Sequence, residues 1–152
     1  MLLAVLEFCS VMLAAAVMGM FLGPWAALTR SIGRLEPAAF VPVLHRLSPN
    51  MAAVMTILMP AGLLAILSVI VLTAGQGLSF FAYVASFALF SAALIVTMAI
   101  EVPLVRQMET WEAAAMPPGW QHTRDRWVSF HRARVVCGLL GLAVLVAATI
   151  AR

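Results

Sequence analysis

Four long apolar runs, Leu2 to Gly23, Asn50 to Ala74, Leu78 to Ile100 and Trp127 to Ala151, take up most of the chain and decide what it can become. About 20 apolar residues in a helix cover a hydrocarbon core roughly 30 Å thick. Inside lipid every backbone amide must be satisfied within its own segment or a closed barrel, so runs of this length cross as helices. The expected fold is all-α: an integral membrane four-helix bundle in a single domain over residues 1–152, with approximate spans 2–23, 50–74, 78–101 and 127–151. Composition agrees, with 64% hydrophobic and only 10% charged residues, where a soluble domain carries about 25% charged.

The first run contains Glu7 and Ser10 and stops at Gly23-Pro24, before an interfacial Trp25. It has no Lys or Arg ahead of it and is longer than a signal-peptide core, so it reads as a retained helix that ends there or continues about a turn to Arg30. In the connection from Arg30 to Pro49, Pro37, Pro42 and Pro49 are expected to interrupt any helix, with Ala38 to Leu47 lying on the membrane surface. Pro60 and Gly62 predict a kink in the second crossing. Gly75-Gln76-Gly77 is a tight turn that makes the second and third crossings a helical hairpin. The last purely apolar stretch, Val135 to Ala151, is short for a span, so the fourth helix begins earlier and carries His131 and Arg134 at the membrane boundary.

All nine basic residues are Arg and the net charge is +3. They sit in short connections rather than on one clustered face, which excludes nucleic acid as a partner and points to membrane lipid. Arg30, Arg34 and Arg46 lie in the first connection, and Arg106, Arg124, Arg126, Arg132 and Arg134 lie in or beside the third. By the positive-inside rule these connections face the cytoplasm, leaving both termini and the Gly75 turn on the same, non-cytoplasmic side of a bacterial cytoplasmic membrane. Cys9 and Cys137 fall inside apolar runs, as packing thiols do, and imply no disulfide framework. Small residues recur at Ala15, Gly19 and Gly23 and at Ala143, Ala147 and Ala151. Close packing within the bundle is the favoured reading of these stripes, with a homo-oligomer seam as the alternative.

Few residues can carry chemistry. Glu7 is the only ionisable residue in the first run and is either a proton carrier or a carboxyl that reaches the interface or stays protonated. Glu101 ends the third helix, and Trp127, His131, Arg134 and Gly138 share one face of the fourth through their spacing of three and four. If that face turns inward, Arg134 neutralises Glu101 and His131 offers an imidazole to a molecule arriving from the membrane; otherwise these are interfacial side chains reaching for water. His45 with the Met51, Met55, Met59 ladder has the ligand chemistry of a Cu(I) site, though Met is also ordinary packing. Haem ligation through His45 or His131 is an equally unspecific possibility. There is no Walker loop, nucleophile elbow, dinucleotide fingerprint or zincin motif.

Glu101-Val102-Pro103-Leu104 followed by Trp111, and Trp127-Val128-Ser129-Phe130-His131-Arg132-Ala133-Arg134 opening the last helix, form a pattern that resembles the anthrone oxygenase-like family of small four-helix membrane proteins. In that family the third helix typically ends in Asn-Val-Pro-(Leu/Ile)-Asn, and a Trp, then a His or Asn, then an Arg open the fourth. The layout matches over most of the chain and the specific residues over its second half, but Glu101 and Val105 stand where the family has Asn. The resemblance implies oxidation of a flat, lipid-soluble aromatic such as an anthrone, phenol or quinol with molecular oxygen, with no cofactor required. In that mechanism His131 is the base and Arg134 stabilises the oxyanion. A non-catalytic accessory or scaffold protein and a proton-coupled carrier working through Glu7 are the competing functions.

The charge bias yields a direct test of orientation. Single cysteines introduced beside Gly75 and at position 34 should differ in intact cells, the first labelled by an impermeant thiol reagent and the second protected. Labelling at position 34 would reverse the assignment.

Overall fold

The computed structural model describes residues 1–75 and 77–152. Along them lie α1 (Leu2–Pro24), α2 (Pro37–Leu72), α3 (Gly77–Val96), α4 (Val102–Met108) and α5 (Trp120–Ile150). A π-helical turn at Trp25–Thr29 and a 3-10 turn at Ile32–Arg34 continue α1, and a second π-helical turn at Thr97–Glu101 joins α3 to α4. Four rods result, Leu2–Arg34, Pro37–Leu72, Gly77–Met108 and Trp120–Ile150, each long and apolar enough to cross a membrane. The protein is an all-α membrane bundle. Its outward surface carries Phe8, Ile57, Leu64, Phe81, Ile95, Leu140 and Ile150, an exterior that lipid solvates and water does not.

Gly75 and Gly77 take φ of +76° and +68°, backbone that only glycine adopts cheaply, and so reverse the chain between α2 and α3. Gln76, the middle residue of the turn read from the sequence, lies outside the described residues. The bundle is held by α3 along α5, by α1 against both α2 and α5, and by α2 against α3. Its core joins Val17 and Phe21 of α1, Met59 and Ile66 of α2, Tyr83 and Phe90 of α3 and Leu145 of α5.

The small residues that let helices approach are not those of the expected stripes. Ala15, Gly19, Gly23, Ala143, Ala147 and Ala151 all face outward, and a Cβ added at Gly19 or Gly23 would meet nothing within 4 Å. Close packing falls instead at Gly138, where a Cβ would come within 2.9 Å of Met18 Sδ, and at Gly141, where it would lie 3.0 Å from the Phe90 ring. Beside the second contact Ser86 Oγ donates to the Gly141 carbonyl at 2.8 Å, tying α3 to α5. Spacing alone found stripes of the right kind on the wrong faces.

The connection expected between Arg30 and Pro49 also differs. α2 already begins at Pro37 and runs unbroken through Pro42, Pro49 and Pro60 for 36 residues, a length of about 54 Å at 1.5 Å per residue. Pro37 opens the helix, where its missing N–H costs nothing. The carbonyls that Pro42 and Pro49 leave without a donor belong to Ala38 and His45, exposed residues whose backbone water or headgroups can serve. The start of α5 moves in the same way, from the expected residue 127 back to Trp120.

The protruding ends share a second core of Ile32, Phe40, Val41, Leu44, Met108 and Trp111. Phe40 stacks on Trp120 at 6.0 Å, and Arg124 covers the other ring with its guanidinium 5.0 Å from the Trp120 centroid. This aromatic cap closes the Arg-rich end of the bundle. At the far end Arg152 Nε lies 3.0 Å from Glu7 Oε1, so both chain ends meet there.

The helix contacts separate two substitutions that the sequence pattern treats alike. Gly141→Val should lower stability by about 1–3 kcal/mol through overpacking against Phe90 and loss of the Ser86 bond. Gly19→Val, which faces outward, should stay within about 0.5 kcal/mol of wild type. Unfolding of the two variants in the same detergent measures the difference, and equal losses would contradict the packing described.

Candidate functional site

α3 approaches the aromatic cap as Thr97 and Glu101, four residues apart and therefore on one face, turn inward. Pro103 just beyond them has no N–H for the preceding turn, and the chain passes through the π-helical turn Thr97–Glu101 before resuming α4. Opposite, α5 presents Trp127, His131 and Arg134 on the face inferred from their spacing. Glu101, His131 and Arg134 are 2%, 0% and 8% exposed. Three ionisable side chains thus share a buried site at the junction of the membrane bundle and its cap.

Arg134 is the hub. Its Nη1 forms the ion pair with Glu101 Oε2 and donates to Thr97 Oγ1 at 3.2 Å. Its Nη2 lies 2.7 Å from His131 Nδ1, and its Cζ sits 4.5 Å from the centroid of Phe21, a cation–π contact from α1. Trp127 stacks on the His131 ring at 5.3 Å with 21° between planes, fixing the imidazole from one side. Thr97 and Phe21 were not singled out from the sequence. Thr97 could have been, as a polar residue one turn before Glu101, whereas Phe21 looks like any other apolar residue of its run.

A guanidinium has only donors, so at 2.7 Å the His131 Nδ1 must accept. As a hydrogen bond, that contact gives Nδ1 the acceptor role and leaves the other donor position to Nε2. That nitrogen is buried and has no partner among the described residues, as is also true of Arg134 Nε. A buried donor left unmade costs about 1–3 kcal/mol. Glu101 Oε1 lies 3.4 Å from His131 Nδ1, within ion-pair range of a charged ring, and no donor among the described residues hydrogen-bonds to it. The cluster thus leaves His131 Nε2 and Glu101 Oε1 without hydrogen-bond partners among the described residues.

These groups line a cavity of about 470 Å³. Its walls are otherwise mostly apolar: Phe21, Pro24 and Leu28 from the end of α1, Met51 and Met55 from α2, Val102 and Val105 from α4. Both π-helical turns adjoin it, a feature that recurs at functional sites. At its half-buried rim Ser48 Oγ donates to Glu109 Oε1 at 2.5 Å, joining α2 to α4.

The remaining sequence candidates are elsewhere. Met59 is packed in the membrane core and His45 is exposed, so the Met51, Met55, Met59 ladder and His45 are not drawn into one site. Glu7 is at the opposite end, 5% exposed, where Tyr83 donates to its Oε1 at 2.7 Å and Arg152 pairs with the same oxygen. A carboxylate held by α3 and by the end of α5 has the partners of a structural tie.

Fold and site together define the class: a small four-helix integral membrane protein with a charged cluster buried beside an apolar cavity. No protein-family model, curated protein or solved structure matches the chain.

The cluster should behave as a unit. Glu101→Ala or Arg134→Ala alone leaves an uncompensated buried charge and should cost about 3–5 kcal/mol. The double variant should lose clearly less than the sum. A double-mutant cycle by denaturant unfolding in detergent reads this coupling, and additive losses would reject the ion pair as an energetic unit.

Proposed function

We propose that the cavity binds a flat, lipid-soluble aromatic molecule, and that the protein oxidises it with molecular oxygen in the manner implied by its resemblance to the anthrone oxygenase-like family. The observation that carries this reading is an apolar cavity whose wall also presents a carboxylate, an imidazole and a guanidinium. Ligand sites combine extensive apolar surface with a few convergent polar groups in this way. An anthrone suits such a site because its methylene is acidic and its enolate reacts directly with oxygen. Anthrone and oxygen give anthraquinone and water: the methylene carbon loses four electrons, one oxygen atom becomes the new carbonyl and the other leaves as water.

The roles follow from the atoms that are free. Glu101 takes the methylene proton, being a carboxylate among the cavity-lining residues whose Oε1 has no hydrogen-bond donor among the described residues. The Nε2–H of His131 and the fixed charge of Arg134 stabilise the enolate oxygen. Trp127 holds the imidazole plane. A carboxylate at position 101 is this chain's own feature, since the family pattern has an amide there. The Arg bias assigns this end of the bundle to the cytoplasmic side of a bacterial cytoplasmic membrane, so the substrate arrives from the inner leaflet.

Oxygen uptake by purified protein supplied with an anthrone tests the reading. Glu101→Gln should lower turnover by roughly a hundredfold or more, the scale of losing a general base. His131→Phe should lose on the order of a hundredfold through the missing donor. Glu7→Gln, at the opposite end, should keep uptake close to that of wild type. No uptake by the wild-type protein would reject the oxygenase and favour a non-catalytic accessory role, while loss confined to Glu7→Gln would favour the proton-coupled carrier.

A further inference from the structure

The rim of the cavity differs in character from its buried cluster: charged residues stand on its outer side and a flexible apolar stripe leads inward. We infer that this rim is a phospholipid site selective for a head group with a primary ammonium. The phosphate sits on Arg106, the ammonium on Glu109, and one acyl chain runs along Leu47, Met51 and Met55 of α2.

Arg106 and Glu109 both line the cavity and stand three residues apart at the end of α4, a spacing that puts two side chains on one face, roughly 5–6 Å apart at Cβ. They form no ion pair with each other. Glu109 Oε1 accepts from Ser48 of α2 at 2.5 Å, and the exposed Arg106 has no hydrogen bond, ion pair or ring contact among the described residues. The better order for such a helical pair places the acid before the base, and here the order is reversed. The rim thus holds a cation and an anion on one face, each with donors or acceptors to spare.

Their depth is that of a lipid head. Arg106 lies six residues past Ile100, the end of the third apolar run, or about 9 Å outward along the helix at 1.5 Å per residue. Met55 lies five residues inside Asn50, the start of the second run, about 7.5 Å toward the hydrocarbon. Leu47, Met51 and Met55, four apart, make one stripe of α2 between these levels, and all three line the same cavity. The thioethers adapt to a flexible chain.

A lone cation would favour any anionic lipid. A cation beside a carboxylate suits a zwitterion, because Glu109 repels a head of net negative charge. The guanidinium donates to the phosphate, and a primary ammonium donates to Glu109, which a trimethylated ammonium has no N–H to do.

Native mass spectrometry of the purified protein, supplied with equimolar phosphatidylethanolamine, phosphatidylcholine and phosphatidylglycerol of identical acyl chains, reads the selectivity. Wild type should retain the ethanolamine lipid about three- to tenfold over either competitor, the scale of one charge-assisted hydrogen bond at a half-exposed rim. Glu109→Gln, which can still accept from Ser48, should bring the ethanolamine and choline lipids level. Arg106→Gln should weaken retention of all three, and Arg132→Gln, an exposed Arg outside the cavity lining, should leave the order unchanged. An ethanolamine lipid with a photoreactive acyl chain should crosslink within residues 47–55. Equal retention of ethanolamine and choline lipids by wild type, a preference for phosphatidylglycerol, selectivity that survives in both rim variants, or no crosslink in that segment would overturn the inference. Selective retention without oxygen uptake on an anthrone would support the lipid site and reject only the oxygenation, and uptake without selectivity would do the reverse.

Discussion

A guanidinium cannot shed its charge at any ordinary pH, so a bundle that buries Arg134 has to answer that charge locally. It does so from four sides, with the Glu101 carboxylate, the Thr97 hydroxyl, the His131 ring nitrogen and the face of Phe21. Those partners come from α1, from the π-helical turn after α3 and from α5 itself, so satisfying one cation fixes the mutual positions of three rods. The desolvation cost of such a cluster makes it a poor device for stability alone, because well-packed apolar residues of similar volume often do as well or better. Its effect is on orientation: every member has its direction set by another, and the residues of the cluster line a cavity.

The two ends of the molecule use the same kinds of residue differently. At the far end Glu7 is closed off by Tyr83 and Arg152, both on the same carboxylate oxygen, and the hydroxyl of Ser10 turns back to the Glu7 carbonyl at 2.8 Å. At the Arg-rich end His131 Nε2, Arg134 Nε and both Glu101 oxygens have no hydrogen-bond partner among the described residues, Oε2 being held by its ion pair with Arg134. The two ends therefore differ in how many buried polar atoms are left unpaired. The difference appears only when the atoms are counted, since each end offers an acidic residue near an Arg.

Much of the architecture was legible because lipid imposes a simple rule on long apolar runs, and the number of crossings follows from it. The helix ends were not. Proline at positions 42 and 49 argued for breaks that the chain avoids by leaving the affected carbonyls on exposed residues, and the extra turns of α2 and α5 are stabilised by the aromatic contacts of Phe40, Trp111 and Trp120, which no local pattern announces. The inward face of α5 was readable from the spacing of Trp127, His131 and Arg134, since charged and aromatic residues are rare enough in an apolar helix to mark a face. The small-residue stripes were misread for the converse reason. Alanine and glycine are common on every face of a membrane helix, and only the partner's side chains decide which of them is needed.

The surroundings of His131 illustrate how strongly a neighbouring group bears on what one side chain can do. A histidine beside an arginine at the mouth of a helix reads naturally as a base whose charged form is opposed by its neighbour. Once Arg134 Nη2 is found on Nδ1, the same neighbour occupies the lone pair a base would use and turns the other nitrogen into a donor. Glu101, ion-paired with Arg134 through Oε2, keeps an Oε1 with no hydrogen-bond donor among the described residues. An amide at that position can donate and accept but is not a useful general base, whereas a carboxylate paired through one oxygen retains the other. The carboxylate at position 101 is therefore the counter-ion that holds Arg134 beside His131, a part an amide could not take.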